Sequence, residues 1–422
     1  MSKTTANDQE IAKALQTLAG SKVKGQQLGA PWLHPFPARM PLSVAEYLID
    51  RLTTPEALVL DPMAGSGTTL LAAKNLGRSS LGFDRDPLAI LIARSITERY
   101  EFRRLDALRK RISTRAKEVI NAGSIELSEL HAKLPQEDQA FIQYWFPRRS
   151  QKQLFALAAS IEQESESAEQ DLAWVIFSSL IIAKSAGASF ALDISRSRPH
   201  KVPKKPIVFP FDGWDRRFTS AVKRLPFVDT IPPAKGEVRY GDARSLPLED
   251  GTVDFVLTSP PYRNAIDYLR SHKFSLVWMG HRLEALRDLR GTMIGTERGL
   301  WSLDGLPPHL EQKIEQVVEK DRYRAHVRQY LSDLCKILGE LERILRPGGL
   351  ALLIMGPTVI NSKRSDSTKI VADISNSIGL RVVGSVIRQL NKQRRSLPLP
   401  PAVLGSPLAQ RMRREVIVAL RK

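Results

Sequence analysis

"ALVLDPMAGSGTTLLAAKNLG", residues 57–77, changes its periodicity twice within a few turns of chain. Ala57 to Asp61 is a short apolar run ending in a carboxylate, the pattern of a buried strand. "TTLLAAKNLG" (68–77) has the composition of a helix. Between them, "DPMAGSGTT" (61–69) places Gly65 and Gly67 where a strand turns into a helix. Glycines at such a turn let the backbone approach a ligand closely, and the helix start offers free N–H groups. A tight structural turn would use the same residues. Two known loops are excluded: no Gly-Lys-Ser/Thr follows, and Leu70 stands where a dinucleotide fingerprint needs a third glycine.

Outward from this unit the strand–helix alternation continues. "SSLGFD" (79–84) reads as the next strand and "PLAILIARSI" (87–96) as the next helix. The alternation stops at about 97 and resumes with "GEVRYGD" (236–242) and "TVDFVLTSPP" (252–261). After a charged helical stretch over 263–335, "LALLIMG" (350–356) is a strand, and "LRVVGSVIRQL" (380–390) and "REVIVALRK" (414–422) complete the sheet. The expectation is an α/β fold with one doubly wound, Rossmann-like sheet, mostly parallel, with an antiparallel strand near the C-terminus. Residues 1–96 supply its first half with the Gly-rich loop, 97–235 a mainly helical, basic insertion, and 236–422 the second half with the 263–335 extension.

Three of these strands end in chemistry. Asp84 lies 19 positions after Gly65, where a carboxylate can accept both hydroxyls of a ribose. Asp86 falls just past the strand end. Asp242 can accept from an adenine amine or simply cap a helix. "TSPPY" (258–262) ends its strand with a hydroxyl, two prolines and an aromatic ring. Prolines stop strands, so punctuation is the simple alternative.

Together "DPMAGSGTT", "GFD", "GDA" and "TSPPY" resemble the DNA methyltransferases that modify exocyclic amines, the cytosine-N4 and adenine-N6 enzymes. "HPFPARMP" (34–41) is similar to a further cofactor motif of that family. The resemblance covers the two sheet-forming parts and leaves the middle unmatched. It implies S-adenosylmethionine as cofactor, held by His34, Phe36 and Arg39, by Asp61, Pro62, Ala64, Gly65, Ser66, Gly67 and Thr68, and by Asp84, Asp242 and Ala243. It implies a catalytic pocket of Ser259, Pro260, Pro261 and Tyr262. In that pocket Ser259 and the Pro260 carbonyl accept the two amine N–H bonds, and Tyr262 stacks on a base taken out of the duplex. The first-position serine points to cytosine N4, with adenine N6 as the alternative. Asn264, Asp267 and Tyr268 follow closely but receive no role.

Composition agrees with a nucleic-acid partner. Lys and Arg number 63 against 45 acids, a net charge of +18 and a pI near 10. Such a field favours a polyanion, because each phosphate contact releases counterions. Residues 193–224 carry nine Lys/Arg against three Asp, interleaved with Phe209, Phe211 and Trp214. Residues 381–422 carry ten against the single Glu415. Arg196, Arg198, Lys201, Lys204, Lys205, Arg394 and Arg395 are the candidate DNA contacts. Cys335 is the one cysteine, on a helical apolar stripe, so a cysteine nucleophile for carbon-5 methylation is disfavoured. No metal site is expected from the histidines or the cysteine. With no apolar run near 18 residues and no secretion signal, a cytoplasmic location without membrane contact is expected. Double-stranded DNA is the expected partner, and a cognate restriction endonuclease is a further one the class admits. An RNA base methyltransferase and a catalytically silent nucleic-acid-binding protein of the same fold are the rival readings.

Overall fold

The computed structural model describes residues 5–19, 33–123, 126–184, 186–196, 198–225, 235–261, 267–296, 321–356, 367–389 and 414–422, with short pieces at 308, 311–312, 314, 358–360 and 363–365. Helices α1 (Asp8–Ala19) and α2 (Leu42–Leu52) precede β1 (Leu58–Asp61), α3 (Thr68–Asn75), β2 (Ser79–Asp84) and α4 (Pro87–Thr97). The middle holds α5 (Phe102–Asn121), α6 (Leu127–Ala132), α7 (Gln136–Trp145), α8 (Arg148–Glu162) and α9 (Ala168–Ile181). A two-stranded hairpin, β3 (Ala191–Leu192) and β4 (His200–Lys201), and α10 (Pro210–Val222) follow. Then come β5 (Gly236–Tyr240), β6 (Val253–Thr258), α11 (Tyr268–Leu276), α12 (Leu283–Gly291), α13 (Asp321–Ile344) and β7 (Leu345–Met355). A small hairpin of β8 (Thr358–Ile360) and β9 (Lys363–Ser365), α14 (Ser367–Ser377), β10 (Arg381–Gln389) and β11 (Arg414–Arg421) complete the described chain.

Seven strands form one sheet in the order β10-β11-β7-β6-β1-β2-β5. The five strands from β7 to β5 run parallel, and β11 lies antiparallel between β7 and β10. This is the doubly wound α/β fold with one antiparallel strand near the C-terminus. The chain runs outward from β1 through β2 to β5, then returns to the other side of β1 as β6. The direction therefore reverses between β1 and β6, and ligands bind outside the carboxyl ends of strands at such a point.

Every central strand is covered on both faces, which is why it is apolar throughout rather than alternating with polar residues. Successive residues still alternate between two cores. Val59, Phe255, Leu257, Leu352 and Ile417 enter one, packed with Leu48 of α2, Leu71 of α3 and Leu88 of α4. Leu60, Val256, Leu353 and Val418 enter the other, packed with Leu338 and Leu341 of α13 and Ile374 of α14. The middle helices add Leu157, Phe177, Trp214 and Phe218 to the first of these. They share the sheet's core instead of building their own. Among the described residues, no helix is long and apolar enough to cross a membrane.

Candidate active site

A cavity of about 170 Å³ opens at the carboxyl ends of β1, β2, β5 and β6. Its floor is the Gly-rich turn. Gly65 (φ 50°) and Gly67 (φ 78°) both adopt the left-handed conformation that glycine accommodates without strain. A Cβ on Gly67 would sit 2.9 Å from Ala93 of α4, so this glycine also lets two helices close up. Gly67 lies behind the cavity wall and does not line it.

Two carboxylates, the buried Asp61 and the part-buried Asp84, hold the turn. Asp84 Oδ2 accepts from the Gly65 N–H at 2.8 Å, and its Oδ1 accepts from the Asp86 N–H at 2.9 Å. Burial, then the charge of Asp86, push Asp84 up to about 6 against the pull of those two N–H groups. Asp61 Oδ1 accepts from the Thr258 hydroxyl at 2.7 Å and from the Met63 N–H at 3.1 Å. Burial raises Asp61 to about 6 as well, and the Thr258 bond opposes the rise. The Asp61–Thr258 bond joins β1 to the residue that opens the Ser-Pro-Pro stretch, fixing the Gly-rich loop relative to Ser259.

Ser259, Pro260 and Pro261 line the same cavity. The Ser259 hydroxyl donates to the Ile354 carbonyl of β7 at 3.0 Å. Its single proton is thus committed to the sheet, and its oxygen presents lone pairs to a ligand. Tyr262 and Asn264 fall outside the described residues.

The structure brings most of the sequence-predicted residues to this cavity: Phe36, Arg39, Asp61, Pro62, Ala64, Gly65, Ser66, Thr68, Asp84 and Ala243 all line it. Two lie elsewhere. His34 is buried away from it, with Nε2 2.9 Å from the Ser178 hydroxyl of α9, and burial holds its imidazole well below the ordinary range. Asp242 is engaged by Arg85 and Arg244 on both oxygens, and only its neighbours Gly241 and Ala243 line the cavity. Burial acts to raise the Asp242 carboxyl, but the Arg244 hydrogen bonds and the two guanidinium charges outweigh it and hold the group below its ordinary range.

Several wall residues carried no role in the sequence. Tyr268 begins α11 and stacks on Phe36, ring centroids 4.8 Å apart and planes 21° from parallel. Burial pushes its phenol upward. Its closeness to "SPPY" was the available signal. Met293 and Ile294, just after α12, close another side with no motif to announce them. Asp86, also on the wall, caps α4 through the Leu88 and Ala89 N–H groups and binds His272 Nδ1 at 2.6 Å. Cys335 sits on α13 against the far core, and burial lifts its thiol to about 11.

The candidate DNA contacts divide by environment. Arg198 and Lys204 are exposed. The Lys201 ammonium lies over the Tyr144 ring at 3.7 Å, and Lys205 donates to the Ala191 carbonyl of the hairpin. The Arg196 side chain, Arg394 and Arg395 lie outside what is described.

Fold and cavity together define a class: a doubly wound α/β protein with a pocket at its switch point. Comparison with known proteins narrows it. Residues 2–95 match the N6/N4 family model described as "DNA methylase". The chain is 27% identical over 263 residues to the Type II methyltransferase M.BsoBI of Geobacillus stearothermophilus, covering 55% of this chain and 49% of that protein. It is 22% identical over 416 residues to the Type II methyltransferase M.MvaI of Kocuria varians, covering 92% and 90%. A shorter match, 53% over 49 residues, links 12% of it to 16% of M.HindIII of Haemophilus influenzae. The chain thus spans about half the length of M.BsoBI and nearly all of M.MvaI. It is related to the DNA methyltransferases of the exocyclic-amine type, the family its four motifs resemble.

Proposed function

We propose that this protein is an S-adenosylmethionine-dependent DNA methyltransferase acting on an exocyclic base amine, cytosine N4 in the first place and adenine N6 as the alternative. One observation carries the reading furthest. The Ser259 hydroxyl, on the cavity wall, gives its proton to Ile354 and so offers an acceptor toward the ligand.

The chemistry needs such an acceptor. An aromatic amine is a poor nucleophile because its lone pair is delocalised into the ring. Accepting both N–H bonds turns the lone pair out of the ring plane and stabilises the charge that grows on nitrogen. Ser259 Oγ and the Pro260 carbonyl are the two acceptors. The consecutive prolines fix their own φ and make a stiff frame for them. Tyr262 is assigned the stacking face for the base, by resemblance to the family motif. With Cys335 packed in the far core, the reading is direct transfer to nitrogen, without a covalent enzyme–base adduct.

The residues present suit the cofactor. A turn with two left-handed glycines lets a ligand approach the backbone, Asp84 offers carboxylate oxygens at the strand end, and Phe36, Met63 and Tyr268 supply apolar surface. Bound there, the cofactor would supply a methyl group on a positively charged sulfur. Asp84 would hold the ribose, the Gly65–Thr68 turn would face its backbone-side edge, and Phe36 with Tyr268 would exclude water.

The test is to incubate the protein with methyl-labelled cofactor and unmethylated DNA or tRNA, digest, and identify the labelled base. Label in N4-methylcytosine is expected, and label in N6-methyladenine would select the alternative. Transfer to tRNA with none to DNA would overturn the proposal in favour of RNA methylation.

A further inference from the structure

Asp242 lies two residues past β5 at the cavity edge, yet it has no oxygen turned to a ligand alone. Arg244 grips it in two-pronged fashion, Nε to Oδ1 at 2.9 Å and Nη2 to Oδ2 at 2.7 Å, while Arg85 Nη1 reaches Oδ2 at 3.0 Å. Both arginines also reach past it. Arg85 Nη1 and Arg244 Nη2 donate to the same carbonyl, that of Thr292, at 2.9 and 2.8 Å. The remaining nitrogen of Arg244 donates to the buried Asp333 of α13 at 2.8 Å.

The Thr292 carbonyl therefore receives two charge-assisted hydrogen bonds, a strong tether for a residue that is itself exposed. Their donors stand just beyond β2 and β5. Asp242 keeps the two guanidinium groups side by side, since without its charge they would repel each other. Directly after the tethered carbonyl come Met293 and Ile294, both on the cavity wall. Met293 packs toward the core on one face of the sheet and Ile294 toward the core on the other. At the far end of this turn, Arg290 binds Asp267, the residue that caps α11.

Sheet order then orients a ligand in the cavity. The reacting group must lie near Ser259, after β6. β2 and β5 are two and three strands further along the edge, about 10–14 Å away at the usual strand spacing. Arg85, Ala243, Met293 and Ile294 thus surround the end of the cavity opposite the chemistry.

We propose that Arg85, Asp242 and Arg244 are positioning residues that clamp the Thr292 carbonyl and hold Met293 and Ile294 as an apolar wall for the base of the bound nucleoside. A segment outside every motif would then set cofactor affinity. This rests on the cofactor reading above, and the test separates the two. Binding of S-adenosylhomocysteine to the full chain is measured by calorimetry for the wild type, Arg85→Gln, Arg85→Lys, Met293→Ala and the Arg85→Gln/Met293→Ala double variant, with urea midpoints alongside. Each of Arg85→Gln and Met293→Ala is expected to weaken binding by about tenfold, the range of a lost apolar contact. The double variant should also be about tenfold weaker rather than a hundredfold, because the clamp acts through the wall. Arg85→Lys should recover part of the loss. In turnover, KM for the cofactor should rise while kcat and KM for DNA stay put.

Independent, multiplying effects, or unchanged binding in Met293→Ala, would overturn the clamp and leave the cofactor reading standing. Failure of the wild type to bind S-adenosylhomocysteine would overturn both. Met293→Ala touches no charge, so it keeps the test open should Arg85→Gln unfold.

Discussion

Ser259 is defined by where its proton goes. Because the hydroxyl donates to Ile354, Ser259→Ala removes an acceptor from the cavity while releasing only one hydrogen bond near the end of β7. We expect kcat to fall about 10²–10³-fold, the effect of removing one preorganised polar group at the reacting atom. The urea midpoint should hardly move, and a variant with full activity would remove Ser259 from the mechanism. Asp84 gives a pH signature. Its folded pKa is about 6, above the ordinary 3.8. Below pH 6 it is protonated and loses acceptor strength, so S-adenosylhomocysteine affinity should fall as pH drops from 7 to 5 and be level above 7. Asp84→Asn should bind weakly at every pH, without that acid limb. Stability runs the other way. Between pH 3.8 and 6 the unfolded chain has lost a proton that folded Asp84 and Asp61 retain, so raising pH across this window lowers their contribution. Calorimetric Tm measured over that window checks the sign.

The start of α4 shows how far local chemistry reaches. "DRDPLAIL" announces a helix by rule: an Asp N-cap followed by Pro at the first turn, and the structure has both. Similar local rules gave the ends of β1 and β2 and the place of the glycine turn, because each is set by residues within a few positions. What α4's cap also does was not legible. Asp86 Oδ2 meets His272 across 186 positions of chain, tying the turn after β2 to α11, the helix that follows the Ser-Pro-Pro stretch. Nothing local in "RSHKFSL" distinguishes that histidine from a solvated one. Asp86→Ala should therefore lose more than a cap. The cap contributes about 1 kcal/mol, and a buried ring nitrogen left without its partner costs about 1–3 more. Asp86→Asn keeps the cap and should lose only the second part. Urea unfolding of the two variants separates these contributions, and equal losses would show that the His272 tie carries all of the effect.

On the scale of the whole molecule, the sequence revealed the sheet, its Gly-rich floor and part of the walls, but not how the walls meet. Arg85 and Thr292 stand 207 positions apart, and Phe36 and Tyr268 meet only because α2, α3 and α11 pack on one face. Charge behaves alike: the net +18 is plain in composition, but its deployment is not. Lys205 was expected on phosphate, yet its ammonium donates to the Ala191 carbonyl, where burial lowers its pKa. Arg198 and Lys204, in the same basic stretch, are exposed. A DNA-binding surface built this way makes a quantitative claim. Each Lys or Arg that neutralises one phosphate contributes about 0.9 to the slope of log K against log salt. Lys204→Ala and Arg198→Ala should each flatten that slope by about one unit and weaken binding alike across DNA sequences. Lys205→Ala should leave the slope unchanged and lower the urea midpoint, because the hairpin loses its tether. Fluorescence anisotropy of a labelled duplex between 50 and 300 mM salt reads all three variants. A slope indifferent to both exposed residues would move the DNA off this hairpin.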